Sequence, residues 1–181
     1  SDILCLYCSV CHFFRTDYLH LCLPNYWAAR EKIGQSFVAA HAPVPAMDKI
    51  NQHANNLLNS LVNKGSFERF TWGLTTDEQL NHHPTQSAGR DIAHWTGREF
   101  SDENKEIFLR IERQVTVGLP DINSFIFTIR TYYRNVMTFK PVELEKLINA
   151  LRSMPQSVLA YKGLEDHRDI IIDRLSAKVS P

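Results

Sequence analysis

Apolar residues recur with recognisable periods along this chain, and each period predicts an element. Ile50, Ala54, Leu57, Leu58, Leu61 and Val62 share one helix face at the 3.6-residue period, and Gly65 stands where a C-terminal cap belongs. Asn51, Gln52, Asn55, Asn56 and Asn59 lie opposite them as a solvated face. A helix around residues 86–95 buries Ile92 and Trp95. Ser101-Asp102-Glu103 reads as a helix start, a cap followed by two acids at the positive end of the helix dipole. That helix carries Ile107, Phe108, Ile111 and Val115. Beyond Gly118-Leu119-Pro120, a further stripe runs through Ile122, Phe125, Ile126, Ile129, Tyr133 and Val136. Pro141 suits the first position of the next helix, with Leu144, Leu147, Ile148 and Leu151 turned inward. Pro155 ends it. Ser157 to Tyr161 then reads as a short buried strand, and 165–178 as a last helix. Thr75 and Glu78 have the spacing of a capping box. Residues 1–30 are rich in aromatic and branched side chains and leave room for a strand before Pro24. The expectation is a mainly α (α+β) chain, divided into a mostly helical region over 1–84 and a second region over 85–181.

Composition changes this picture little. With 181 residues, 44% hydrophobic and 22% charged, the chain holds enough apolar surface for a packed core. Twenty basic and twenty acidic residues cancel, which excludes the basic surplus expected of a nucleic-acid binder. The most apolar stretch, Ile3 to Phe14, is 12 residues long and has no basic region before it. A membrane-spanning helix needs ~20 such residues, so neither a span nor a signal peptide is expected.

Candidate chemistry begins with the cysteines. Cys5, Cys8, Cys11 and Cys22 all lie near the start, with His12 and His20 among them. A zinc site and a buried apolar segment of free thiols both remain open. The second is preferred, because zinc knuckles come as two separated pairs and here Leu6, Tyr7 and Val10 intervene. His82 and His83 precede Pro84, but sequence neighbours rarely converge on one ion. His53 and His167 read as surface groups, so no metal is assigned.

Two stretches carry a resemblance. Ile92-Ala93-His94-Trp95-Thr96-Gly97-Arg98-Glu99-Phe100, followed by Asn104 and Ile107, is similar to the pattern I-x-x-Y-T-G-x-x-Y-x-x-x-N-x-x-L of bacterial ADP-ribosyltransferase toxins and effectors (the R-S-E clade). Leu144 to Leu151, then Met154-Pro155, then Val158-Leu159-Ala160-Tyr161-Lys162-Gly163-Leu164, resembles that family's helix, proline and V-x-Y-R-G-L strand. Together they cover about 75 of the 181 residues. The resemblance implies a helical region leading into the first strand of an ADP-ribosyltransferase-like fold. It implies NAD as the substrate that donates ADP-ribose to a protein target, with Trp95, Phe100, Asn104 and Lys162 as its contacts. Lys162 replaces the family's arginine, keeping the charge and losing the two-pronged hydrogen bond. The Ser-Thr-Ser strand and the Glu-x-Glu pair that should follow the Lys162 strand do not occur between it and Pro181, so the catalytic residues stay unknown and the isolated chain is expected to be inactive. The alternatives are a non-catalytic relative acting as a protein-binding or regulatory module, and an unrelated helical interaction domain. The implied location is the cytoplasm, or the target-cell cytosol for a secreted effector. Oligomeric state stays open.

Overall fold

The computed structural model describes residues 3–10, 13–85 and 88–179. Its strands are β1 (Ile3–Val10), β2 (Phe13–Leu21), β3 (Phe67–Thr75), β4 (Phe108–Leu119) and β5 (Ser124–Asn135). They form one five-stranded antiparallel sheet in the order β2-β1-β5-β4-β3. Three helices lie between β2 and β3 in the chain: α1 (Phe37–Ala40), α2 (Asp48–Gln52) and α3 (Ala54–Asn63). Helix α4 (Ile92–Thr96) precedes β4, and α5 (Pro141–Ser153), α6 (Gln156–Lys162) and α7 (Arg168–Val179) follow β5. The expected mainly helical chain is therefore corrected to a mixed α/β protein with a strand-rich core.

The chain divides into two compact units. In the first, made of Ser1–Thr71, Leu80–Thr85 and Glu112–Tyr132, β1 pairs antiparallel with both β2 and β5 and sets Cys5 opposite Leu19 and Phe127. Alternation along β1 puts Ile3, Cys5 and Tyr7 on one buried face with Phe125 and Ile129 of β5 and Phe14 of β2. Helix α3 lays Leu58 and Val62 on that cluster, each worth roughly 1.5–3 kcal/mol of burial. The helix ends at Asn63, and Gly65 takes the positive φ of 97° that the sequence pattern anticipated there.

The second unit is Trp72–Gln79, Gln86–Ile111 and Tyr133–Pro181. Its core joins Leu144, Leu147, Ile148 and Leu151 of α5 to Ile171, Ile172 and Leu175 of α7, around Ile107 and Leu164. Pro141 opens α5 as expected. Glu143 accepts the Lys140 backbone N–H at 3.0 Å and the Arg134 Nη2 at 3.1 Å. Those two contacts hold its carboxyl below the usual range.

Several elements depart from the sequence pattern, among them the helix expected around 86–95, of which the described part is α4 (Ile92–Thr96), with Ile92 exposed and Trp95 buried. The helix expected from Ser101 is instead a turn and loop leading into β4. On β4 the buried positions include Arg110, Gln114 and Thr116, so the inward face is polar and hydrophobicity does not report burial. Ile107, Phe108, Ile111 and Val115 fit a helical period only by coincidence. The stripe from Ile122 to Val136 is β5, whose run of Phe, Ile, Thr and Tyr favours a strand, and both of its faces carry apolar residues. Asn123, at φ 47°, closes the turn between these strands. Ser157 to Tyr161 is helix α6 and not a strand; Gly163, at φ 66°, caps its end. A short apolar run does not distinguish a buried strand from one helical turn. Thr75 to Glu78 forms a turn after β3, with the Thr75 hydroxyl on the Asp77 carbonyl at 2.5 Å. No helix among the described residues is long and apolar enough to cross a membrane.

Candidate functional site

Three chain segments of the first unit surround a half-open cleft of about 480 Å³. Phe14 of β2 and Phe37 and Val38 of α1 give it apolar walls, and Leu58 of α3 closes one side. Ser36, Asn51, Gln52, Asn55 and Asn56 supply a rim of hydroxyl and amide groups. Ser36 is fixed there because it caps α1, its hydroxyl accepting the Ala39 backbone N–H at 3.2 Å. The volume falls within the range of ordinary small-molecule and cofactor sites, roughly 300–1,000 Å³.

One imidazole lines this cleft. His53 sits at the break between α2 and α3, where φ −116° and ψ 19° interrupt the helix. The sequence pattern reads one continuous helix through this point. The break is what places His53 in the cleft wall, and its ring caps neither helix. Asn51 adds an unusual feature: its Oδ1 is sealed from solvent without a hydrogen-bond donor. A buried acceptor left unmade costs about 1–3 kcal/mol, so this oxygen suits a ligand donor or a water.

The aromatic wall is continuous with the core. Phe37 meets Tyr7 edge-on at 6.5 Å, Tyr7 stacks on Phe125 at 4.8 Å, and Phe14 tilts against Phe125 at 5.9 Å. Burial, with a smaller push from Cys5, lifts the Tyr7 phenol to about 12, so it stays neutral. Behind Phe37 lies His41, 4.2 Å ring to ring, with Nδ1 2.8 Å from the Phe37 carbonyl. Burial lowers the His41 pKa, and Arg69 and Lys32 lower it further against the opposing carbonyl bond.

A pH dependence follows from His41. Its folded value lies below the ordinary 6.5, so the unfolded chain takes up the proton first as pH falls. Its contribution is present above pH 6.5 and is lost below it, as the pH drops toward the folded value. Thermal midpoints between pH 7.5 and 5 should fall for the native chain and fall less for His41→Gln; equal slopes would remove His41 as the cause.

The residues singled out by the sequence lie in the second unit. Trp95 is buried, with the Arg90 guanidinium 5.1 Å above its ring. Phe100 is a core residue 5.7 Å from the His167 ring. The Asn104 side-chain oxygen accepts the Ser101 backbone N–H at 2.6 Å. Lys162 is the last residue of α6; its ammonium donates to the Trp72 carbonyl and lies over the Trp72 ring. Near this stretch an open groove is lined by Asp91, His94, Glu99, Ser101, Asp102 and Glu103.

The early cysteine cluster does not close on an ion within the described residues, where no group of three or more His, Cys, Asp and Glu side chains could hold a metal. Cys5 is buried and Cys8 half-buried, while Cys11 and His12 lie outside the described residues. His82 is fully buried and stacks on Tyr26 at 5.6 Å, whereas His83 turns its Nδ1 to the Thr85 N–H. Sequence reasoning assigns no site role to Phe14, Phe37, Asn51 or His53: Asn51 falls on the solvated helix face, and His53 reads as a surface group, which its exposure in the fold bears out. The available signal was the Asn51-Gln52-His53 triplet interrupting an apolar helical stripe.

A family model described as "haem-dependent oxidative N-demethylase, alpha subunit-like" matches residues 10–172, most of the chain, and the chain belongs to that family. This overturns the resemblance to bacterial ADP-ribosyltransferases, together with the toxin or effector function and NAD as substrate. The alternatives of a binding module or an unrelated helical domain fall with it. Physical reasons accompany the correction. The supposed second-motif strand is helix α6, and a groove with four carboxylates is a poor seat for a pyrophosphate.

Proposed function

We propose, from membership in this family, that the chain is the haem-binding part of an oxidative N-demethylase, and that haem sits in the cleft between β2, α1 and α3. The observation that carries this reading is the donor set of the cleft: one imidazole, His53, among Phe14, Phe37, Val38 and Leu58. A tetrapyrrole needs flat apolar walls, an axial ligand and a polar edge for its carboxylates. The residues present fit those needs in kind. His53 would ligate the iron, Phe14 and Phe37 would pack against the macrocycle, and the amides of Gln52, Asn55 and Asn56 would hydrogen-bond its carboxylates.

When bound, haem supplies the one-electron and dioxygen chemistry that oxidises a carbon attached to nitrogen. The chain's own side chains do the rest. Phe14, Phe37 and Leu58 exclude water from the apolar side, and the Asn51 carbonyl offers an acceptor to an N–H or O–H brought into the cleft. The family description speaks of an alpha subunit, which fits a chain that works with partner subunits.

Titration of the full chain with haemin tests the reading. A stoichiometric complex with a shifted, sharpened Soret band is expected, and with it a higher melting temperature, since a ligand that binds only the folded state stabilises it. Only weak, non-saturating absorbance changes, with no gain in melting temperature, would overturn it.

A further inference from the structure

The edge strand β2 leads into a second chemical feature that haem binding leaves unused. His20 lies near the end of the strand and Cys22 directly after it, and Cys22 Sγ is 3.0 Å from His20 Nε2. Both side chains are exposed. β2 is the last strand of the sheet, and the segment that bridges its outer side does so at Arg15 and Thr16, so the pair stands at the sheet margin where a reagent can reach it. The other described cysteines differ. Cys5 is buried in the core, where desolvation lifts its thiol to about 12, and Cys8 is half-buried without a histidine contact shown for it.

We propose that Cys22 is a reactive thiol and that it is the site of S-thiolation by small disulfides, with His20 as the proton acceptor. The nucleophile in such exchange is the sulfur anion, and an ordinary thiol is only a few per cent ionised at pH 7. An imidazole in hydrogen-bond contact removes the proton as the sulfur attacks. In that step the Cys22 Sγ–H proton passes to His20 Nε2, and a bond forms between Sγ and one sulfur of the disulfide. The disulfide S–S bond breaks, and the departing thiolate recovers the proton from the imidazolium. Atoms and electrons balance, and the small disulfide is the only co-reactant. The protein gains a mixed disulfide that any free thiol reverses. The neighbourhood is one expected of a redox-responsive cysteine: exposed, beside a base, and outside the packed core.

The test is treatment of the full chain with hydroxyethyl disulfide at pH 7, read by peptide mass spectrometry at each cysteine. Cys22 should be modified before Cys8 and Cys5, and Cys22→Ser should remove that adduct alone. His20→Gln keeps a polar side chain without a base, and should slow modification at Cys22 about tenfold, a small share of what a positioned base supplies. In strongly alkaline buffer, where hydroxide can take the proton in place of the imidazole, the two proteins should react at the same rate. Unchanged melting of His20→Gln verifies that the fold is intact. Modification of Cys8 ahead of Cys22, or equal rates at pH 7, would overturn the proposal. So would a rate difference that persists at high pH, because it would mark a packing effect and not proton transfer.

Discussion

Gly118→Ala should destabilise the chain by about 3 kcal/mol, the upper end of what overpacking usually costs. Gly118 lies near the end of β4, under the C-terminal turn of α3. A Cβ built there would stand 2.1 Å from the Val62 carbonyl oxygen and 2.7 Å from that of Leu61. Both obstacles are backbone, so no side-chain rotation relieves them. Either α3 lifts from the sheet or β4 shifts, and both movements disturb the packing of Val62 on Phe125 and Ile129. For a chain of this size the loss corresponds to a fall of roughly 6–12 °C in melting temperature. Gly73 provides the control, since its position in β3 has open space where a Cβ would go. Gly73→Ala should leave the midpoint unchanged or slightly raised, because alanine restricts the unfolded chain. A Gly118→Ala midpoint equal to that of the Gly73 variant would disprove the close approach of α3 to β4.

His53→Ala should weaken haem binding by about a hundredfold or more while leaving the fold intact. Loss of even an outer partner of a metal ligand costs roughly 10–100-fold, so removing the ligand itself should reach the top of that range. A hundredfold loss is about 2.7 kcal/mol. The side chain is exposed and caps neither helix, so alanine removes little structural support. Equal melting temperatures of the two haem-free proteins would verify this. Added imidazole should restore part of the Soret shift by entering the vacated space. If His53→Ala binds haem as the native chain does, His53 is not the ligand. The titration of the native chain would then still decide whether the chain binds haem at all.

These two positions illustrate what local pattern does and does not reveal. His53 falls on the polar side of an apolar helical stripe, where a surface role is the ordinary reading. Its importance arises because the helix breaks there, turning α2 and α3 apart and opening a wall opposite Phe14 and Phe37. Gly118 reads in sequence as part of a Gly-Leu-Pro stop between helices. In the fold it is a strand residue kept bare by a carbonyl from another element. The ADP-ribosyltransferase resemblance failed for a related reason. Trp95, Phe100 and Asn104 do share the family's spacing, but spacing along the chain carries no information about what faces them. Four acidic side chains line the groove beside that stretch, and the matching second motif is helical.

By itself the sequence determined the elements whose signals are local: the α3 stripe with Gly65, α5 with Pro141 at its start, and the last helix. In the first two, an apolar period of 3.6 coincides with buried positions, and Gly65 or Pro141 marks an end. Zero net charge and the absence of a long apolar run likewise belong to the sequence. The sheet was decided by tertiary structure. β4 buries Arg110, Gln114 and Thr116, and Gln114 accepts from Arg69 and donates to Glu112, so its inward face cannot be recognised by hydrophobicity. β5 is apolar on both sides, and only pairing with β1 fixes which face is inside. The cleft is tertiary throughout, because Phe14, Phe37 and His53 come from three separate segments. Their shared chemistry exists only once α1, α2 and α3 have folded back over β2.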